Sequence, residues 1–106
     1  MLGLTATPHS FSSDDLESTR KLADQGDAKA QYRLGVFYNG EGVPKDYVLA
    51  YMWVNLSLAE DNNIKAKESI DNLEKEMTPE QIEEAQKLSR EWFNKRNNLI
   101  KVEQNN

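Results

Sequence analysis

The sequence predicts an all-α fold of about five helices arranged as αα-hairpins. Three observations carry this. Apolar residues recur at spacings of three and four and nowhere alternate as a half-buried strand requires. Helix start and stop signals, among them Gly26, Asp27 and the run Thr78, Pro79, Glu80, Gln81, punctuate the chain. Sliding the chain on itself by 36 residues pairs Leu22 with Leu58, Ala23 with Ala59, Lys29 with Lys65, Ala30 with Ala66 and Leu34 with Ile70, which points to two related hairpins.

Ser13 with Asp14 offers an N-cap for a first helix over residues 15–25, and Gly26 supplies the left-handed residue that ends it. Asp27 caps a second helix over residues 28–39, since its carboxylate accepts from the backbone N–H groups that the first turn leaves unpaired. Ala30, Leu34, Phe37 and Tyr38 fall on the core face of that helix, and Lys29, Tyr32, Arg33, Val36 and Asn39 fall elsewhere. The stretch Gly40, Glu41, Gly42, Val43, Pro44, Lys45 breaks the helix into a tight loop. A third helix over residues 46–61 is apolar nearly all round, which predicts burial at the centre of the domain with neighbours on both flanks. The fourth, over residues 63–77, lines up Ala66, Ile70, Leu73 and Met77. Thr78 then caps a fifth helix, with Pro79 in its first position and Gln81 reaching back to close a capping box. Its core stripe is Ile82, Ala85, Leu88 or Ser89, and Trp92, and it runs to about Lys95 with a weak continuation past Asn97 and Asn98 to Val102. Residues 14–96 thus make the domain and residues 97–106 a frayed or disordered tail.

Composition removes several functions at once. A formal net charge of -5 on 106 residues disfavours nucleic acid, whose binders need a basic patch that releases counterions. With no cysteine and a single histidine, His9, thiol catalysis, disulfides and thiolate or histidine metal clusters are excluded, and no cofactor is expected. No run reaches the roughly 18 apolar residues of a membrane span. Residues 1–13 read either as the remnant of a secretory leader, with a small-x-small pattern at Ser10, Phe11, Ser12, or as a disordered N-terminus. The first reading places the chain in the periplasm or outside the cell; the alternative is cytoplasmic.

From Leu22 to Ala59 the chain resembles a Sel-one-like repeat, a relative of the tetratricopeptide repeat. The resemblance rests on Ala30, Leu34, Gly35, Tyr38, Gly40, Gly42, Val43, Asp46, Ala50 and Trp53, which meet the family's pattern at its fixed spacing. The second unit departs from the pattern, with Asp71 where a small glycine would stand, Glu74 in place of the tyrosine and no Gly-x-Gly loop, as in a degenerate, capping repeat. The segment from Thr78 through Trp92 resembles the closing helix that bacterial members often carry, which implies a C-terminal cap on the array. Each matched residue also has a packing reason. Ala30, Gly35 and Ala50 are small where two helices approach to about 8 to 10 Å, and Leu34, Tyr38, Trp53 and, on the closing helix, Trp92 fill the space between helices.

Candidate chemistry is sparse. Asp14 with Asp15, and Glu83 with Glu84, point about 100° apart on a helix and do not converge as an acid–base pair. Asp61, Asn62, Asn63 lacks the alternating acids and distant Glu of a calcium loop. The glycosylation pattern at Asn55, Leu56, Ser57 lies inside an apolar helix, and Gly40 with Gly42 lacks the strand and the Lys-Ser/Thr of a phosphate cradle. The best functional signal is Tyr32 with Val36, one turn apart and off the core face, flanked by Lys29, Arg33 and Asn39. The competing expectation is that a neighbouring helix covers Tyr32.

The resemblance implies that these positions line a concave groove, to which the 36-residue shift adds Lys65, Glu68 and Asn72. It implies scaffold or adaptor work without enzymatic activity, with a protein or peptide segment as partner. Two alternatives stand beside it. One is β-lactam hydrolysis, credited to cysteine-rich relatives, for which this chain lacks the cysteines and offers only Ser18 and Lys21 as an unsupported pair. The other is a structural homodimer, because one complete repeat falls short of the three that usually stabilise a solenoid.

Overall fold

The computed structural model describes residues 13–40 and 45–105. Among them the order is α1 (Ser13–Asp24), α2 (Ala28–Tyr38), α3 (Tyr47–Glu60), α4 (Ile64–Glu76) and α5 (Pro79–Asn105), with no strand. The chain is all-α. Residues 1–12, which hold His9 and most of the leader reading, and residues 41–44, which hold Gly42 and Pro44, lie outside the described residues.

The helix boundaries follow local chemistry. α1 starts at Ser13, ahead of the start expected near residue 15. The helix closes at Gly26, whose φ of 97° is open to glycine and strained for other residues, and the Asp27 N–H donates back to the Leu22 carbonyl. Asp27 then caps α2 by accepting from the Ala30 N–H at 3.0 Å. Asp46 does the same for α3 through the Leu49 N–H at 3.1 Å, and Asn63 for α4 through the Lys65 N–H at 2.8 Å. At the head of α5 the capping box is reciprocal: the Thr78 N–H donates to Gln81 Oε1 at 2.9 Å and the Gln81 N–H donates to Thr78 Oγ1 at 3.1 Å. That helix is 27 residues long and continues past Asn97 and Asn98 to Asn105, three residues beyond the Val102 expected for its weak continuation.

α3 is the axis of the molecule, packed on α2, α4 and α5, while α1 packs on α2. Its two flanks serve two separate apolar clusters. Ala50, Tyr51 and Val54 join Ala66, Ile70 and Leu73 of α4, together with Met77 and Ala85. Met52, Trp53 and Leu56 join Ala23 of α1 and Ala30, Leu34 and Phe37 of α2, with Leu88, Trp92 and Phe93 of α5 packed against them. Tyr38 is half-buried and touches both clusters, and its hydroxyl accepts from the Arg20 guanidinium at 2.6 Å. Trp53 and Trp92 meet edge to face with ring centroids 6.4 Å apart.

α2 and α3 form an antiparallel hairpin. At one end the Asp46 N–H donates to the Tyr38 carbonyl at 2.7 Å, and at the other Ser57 Oγ donates to the Ala28 carbonyl at 2.9 Å. Between these ends the helices come close because Gly35 has no side chain. A Cβ built there would run into Val54 Cγ2 and stand 3.1 Å from the Ala50 carbonyl oxygen. Gly40, just past the C-terminal end of α2, has a φ of 101° and turns the chain out of the helix.

α5 lies along α3 in the same sense, since Gln86 Nε2 donates to the Tyr51 hydroxyl and, one turn further along both helices, Asn55 Nδ2 donates to Ser89 Oγ. Further on, Arg96 donates to the Asp24 carbonyl at 3.1 Å and so caps α1 from 72 residues away. Beyond Arg96, Leu99, Ile100 and Val102 are exposed.

Candidate functional site

With α2 and α4 both resting on α3, a groove opens between them. Its walls are set by the packing beneath. α4 is held in place by Tyr51, which donates to Glu74 Oε2 of α4 at 2.8 Å while accepting from Gln86 of α5 at 3.3 Å. Burial pushes the Tyr51 phenol above its ordinary value of 10.0; the Gln86 amide, by donating to the oxygen, opposes this, and the neighbouring Glu74 carboxylate reinforces it. The hydroxyl therefore remains a donor to Glu74 through the neutral range.

Two clefts lie at the ends of the groove. One, of about 200 Å³, sits where α2 and α4 begin and α3 ends, and is lined by Lys29, Tyr32, Arg33, Ser57, Asp61 and Asn63, with Ala28. The other, of about 410 Å³, sits where α2 and α4 end and α3 begins, and is lined by Asn39, Lys45, Tyr47, Asn72, Lys75 and Glu76, with Leu73. Between them Tyr32 crosses from α2 towards α4, its hydroxyl 3.5 Å from Ser69 Oγ. Lys45 is held at the second cleft by Tyr47, with its Nζ 5.2 Å from the ring centroid and 3.5 Å from the hydroxyl.

The residues singled out in the sequence divide accordingly. Lys29, Tyr32 and Arg33 come together at the first cleft, and Asn39 meets Asn72 at the second. Tyr32 is half-buried against the α3–α4 cluster, so the expectation of a free surface aromatic gives way to the competing one, in which a neighbouring helix covers it. Val36 is also half-buried, and Lys65 and Glu68 are exposed on α4; none of the three lines either cleft. Of the residues read as packing residues, Ala30, Leu34, Gly35, Ala50 and Trp53 are buried, and Tyr38 and Trp92 are half-buried.

Sequence reasoning missed Ser57, Asp61, Asn63, Lys45, Tyr47, Lys75 and Glu76 as cleft residues. The signal available was positional, because all lie within a turn or so of a helix end, where three elements meet. It also missed Gln31, which has no exposed surface and whose Nε2 donates to the Ala23 carbonyl at 3.1 Å, tying α2 to α1.

Among the described residues no group of three or more His, Asp or Glu side chains is placed to hold a metal ion, and no helix is long and apolar enough to cross a membrane. The second cleft offers mainly carboxamide, ammonium, carboxylate and phenol groups, whereas the lining of the first is mostly apolar. No family model, curated protein or solved structure matches the chain.

Proposed function

We propose that this chain is a non-enzymatic interaction module of the Sel-one-like, tetratricopeptide-related kind, which holds a peptide or protein segment in the groove between α2 and α4. In this reading α2 with α3 is one hairpin unit and α4 with α5 a second, degenerate one, and α5 doubles as the cap. The observation that carries it is the pair of clefts at the two ends of a groove walled by α2 and α4, with Tyr32 and Ser69, 37 positions apart in the chain, meeting between them. The 36-residue self-similarity supports the same pairing of walls.

The test is affinity capture from cells of the native host with the wild-type chain and with Asn39→Ala/Asn72→Ala, whose side chains are exposed and share one cleft. Surface substitutions of this kind cost within about 0.5 kcal/mol each, so the helical melt should stay near wild type. Proteins retained by the wild type and lost by the variant are the expected result. A protein set that is the same for both would overturn the groove as the site.

A further inference from the structure

Among the described residues the large apolar side chains left exposed are Leu22, Ile64, Leu99, Ile100 and Val102, and all of them stand at one end of the molecule, where α1, α3 and α5 end and α4 begins. All but Ile64 belong to α1 and α5. The stripe that α5 packs inward, Ala85, Leu88 and Trp92, runs on at the same alternation of three and four through Lys95 to Leu99 and Val102. Its cover does not run on with it. The offset that sets Asn55 beside Ser89 puts Glu60, the end of α3, level with Asn94, and α1 closes where its Asp24 carbonyl meets Arg96. Residues 97–105 therefore project as about 14 Å of helix that carries a core-type face past the ends of the helices that cover its earlier turns.

At the foot of this projection Asp24, Trp92, Lys95, Arg96 and Leu99 line a cleft of about 250 Å³. Arg96 is already engaged there, donating to the Asp24 carbonyl and lying over the Trp92 ring with its guanidinium carbon 6.0 Å from the centroid. A surface that carries both a projecting stripe and a recess complements itself across a two-fold axis. Two copies laid antiparallel about Leu99 bring Val102 of each over the cleft of the other, and since a cavity of about 150 Å³ holds a benzene ring, the valine has room. The charges cross as well: Glu103 of each copy falls level with Lys95 of the other, and Lys101 falls near the turn where Asp24 stands. Area sets the strength of the pair. A fully exposed aliphatic side chain offers on the order of 100 Å² of apolar surface, so Leu22, Leu99, Ile100 and Val102, between 37% and 59% exposed, supply about 200 Å² per copy, against about 800 Å² of total surface per partner in a stable interface. From these observations we infer that two copies of this chain associate weakly and reversibly through the C-terminal ends of their α5 helices, packed antiparallel about Leu99. This surface shares no residue with the two clefts between α2 and α4, so the pair leaves the groove open.

The test is sedimentation equilibrium of the full chain from about 10 µM to about 1 mM, where a reversible monomer–dimer equilibrium is expected. Leu99→Gln/Val102→Gln, at two exposed positions and with helix propensity kept, should weaken the pair about tenfold or more. Ile64→Gln, exposed at the same end but on α4, should leave it unchanged. Lys95→Glu and Glu103→Lys should each weaken it about threefold and together restore it, because the crossed pair re-forms with its signs exchanged. Thermal melts near that of the wild type show that every variant keeps its fold. A chain that stays monomeric throughout the range, including one that sediments instead with vesicles of phosphatidylcholine and phosphatidylserine, would overturn the pairing. So would a dimer indifferent to Leu99→Gln/Val102→Gln, or one in which the two charge reversals add where they should cancel.

Discussion

Gly35→Ala probes the close approach of α2 and α3. In an exposed helix this change stabilises by about 1 kcal/mol, because alanine has less backbone freedom to lose. Here the added methyl meets Val54 Cγ2, the Ala50 carbonyl oxygen at 3.1 Å and the Val54 backbone nitrogen at 3.3 Å. The side-chain methyl is able to turn away; the two backbone atoms move only if α2 and α3 separate. Overpacking of a well-filled core costs about 1 to 3 kcal/mol, and contact with backbone places this case at the upper end. Setting the gain of about 1 kcal/mol against it leaves a net loss of about 2 kcal/mol, or a fall in Tm of about 8 °C at roughly 4 °C per kcal/mol for a domain of this size. Urea denaturation and a thermal melt of Gly35→Ala, Val54→Ala and the double variant make the assay. The double variant should recover about 1 kcal/mol relative to the sum of the singles, since removing Val54 Cγ2 opens part of the space. A Gly35→Ala protein as stable as wild type, or more so, would refute the close approach of α2 and α3.

Leu34→Ala and Trp53→Ala, both buried in the α1–α2–α3 cluster, should each cost about 2 to 5 kcal/mol through lost burial and a cavity; a melt within a degree of wild type for either would show that cluster to be misassigned. Tyr51→Phe should lose about 1 kcal/mol at neutral pH by removing the hydroxyl shared with Glu74 and Gln86. It should also change the alkaline limb: because the folded phenol titrates above 10.0, its contribution is complete below that pH and is lost as pH rises through the folded pKa, so stability measured between pH 9 and pH 12 should fall less steeply in the variant. Ending the chain at Met77 removes Trp92 from Trp53 and Ser89 from Asn55, exposing a face of α3; size-exclusion chromatography should show dimers, aggregates or a non-cooperative melt, and a monodisperse, cooperatively melting monomer would remove the covering role from α5.

The helices were readable because their signals are local. Asp27, Gly26 and the Thr78–Gln81 box act within three or four residues, and each does in the structure what its residue type dictates. The burial of α3 on two flanks was readable for a different reason, since a helix without a polar side has nowhere else to go. Gln31 escaped because periodicity counts glutamine as polar, whereas here its amide adds a second donor to the Ala23 carbonyl, which also accepts from the Gly26 N–H, and so ties α2 to α1 inside the core. Tyr32 was placed off the core face correctly for α2 alone, but whether an off-core residue is bare depends on α4, which the sequence of α2 does not contain. The same holds for Lys45, Lys75 and Asp61, whose meeting at the clefts is a product of how helix ends converge. α5 passes through Asn97 and Asn98 and on beyond Val102 to Asn105, because the moderate helix propensity of asparagine does not suffice to stop a helix flanked by Lys95, Arg96, Leu99 and Ile100.

The sharing of α3 between two apolar clusters bears on how the domain comes apart. The buried apolar residues of α1 and α2 meet α3 in one cluster and those of α4 meet it in the other, with only Tyr32 and Tyr38 of α2 reaching across, so neither group keeps its partner surface if α3 unwinds. Partial opening of the outer helices is the economical excursion: α1 or the end of α5 is lost with α3 still clamped from elsewhere, whereas the loss of α3 is the loss of both clusters. Amide protons of α3 should therefore exchange only through global unfolding, as the slowest-exchanging set in the molecule, and those of α1 and the end of α5 through local opening. The groove inherits this grading, for its floor belongs to the last element to melt while its walls are each free to breathe without dissolving the other.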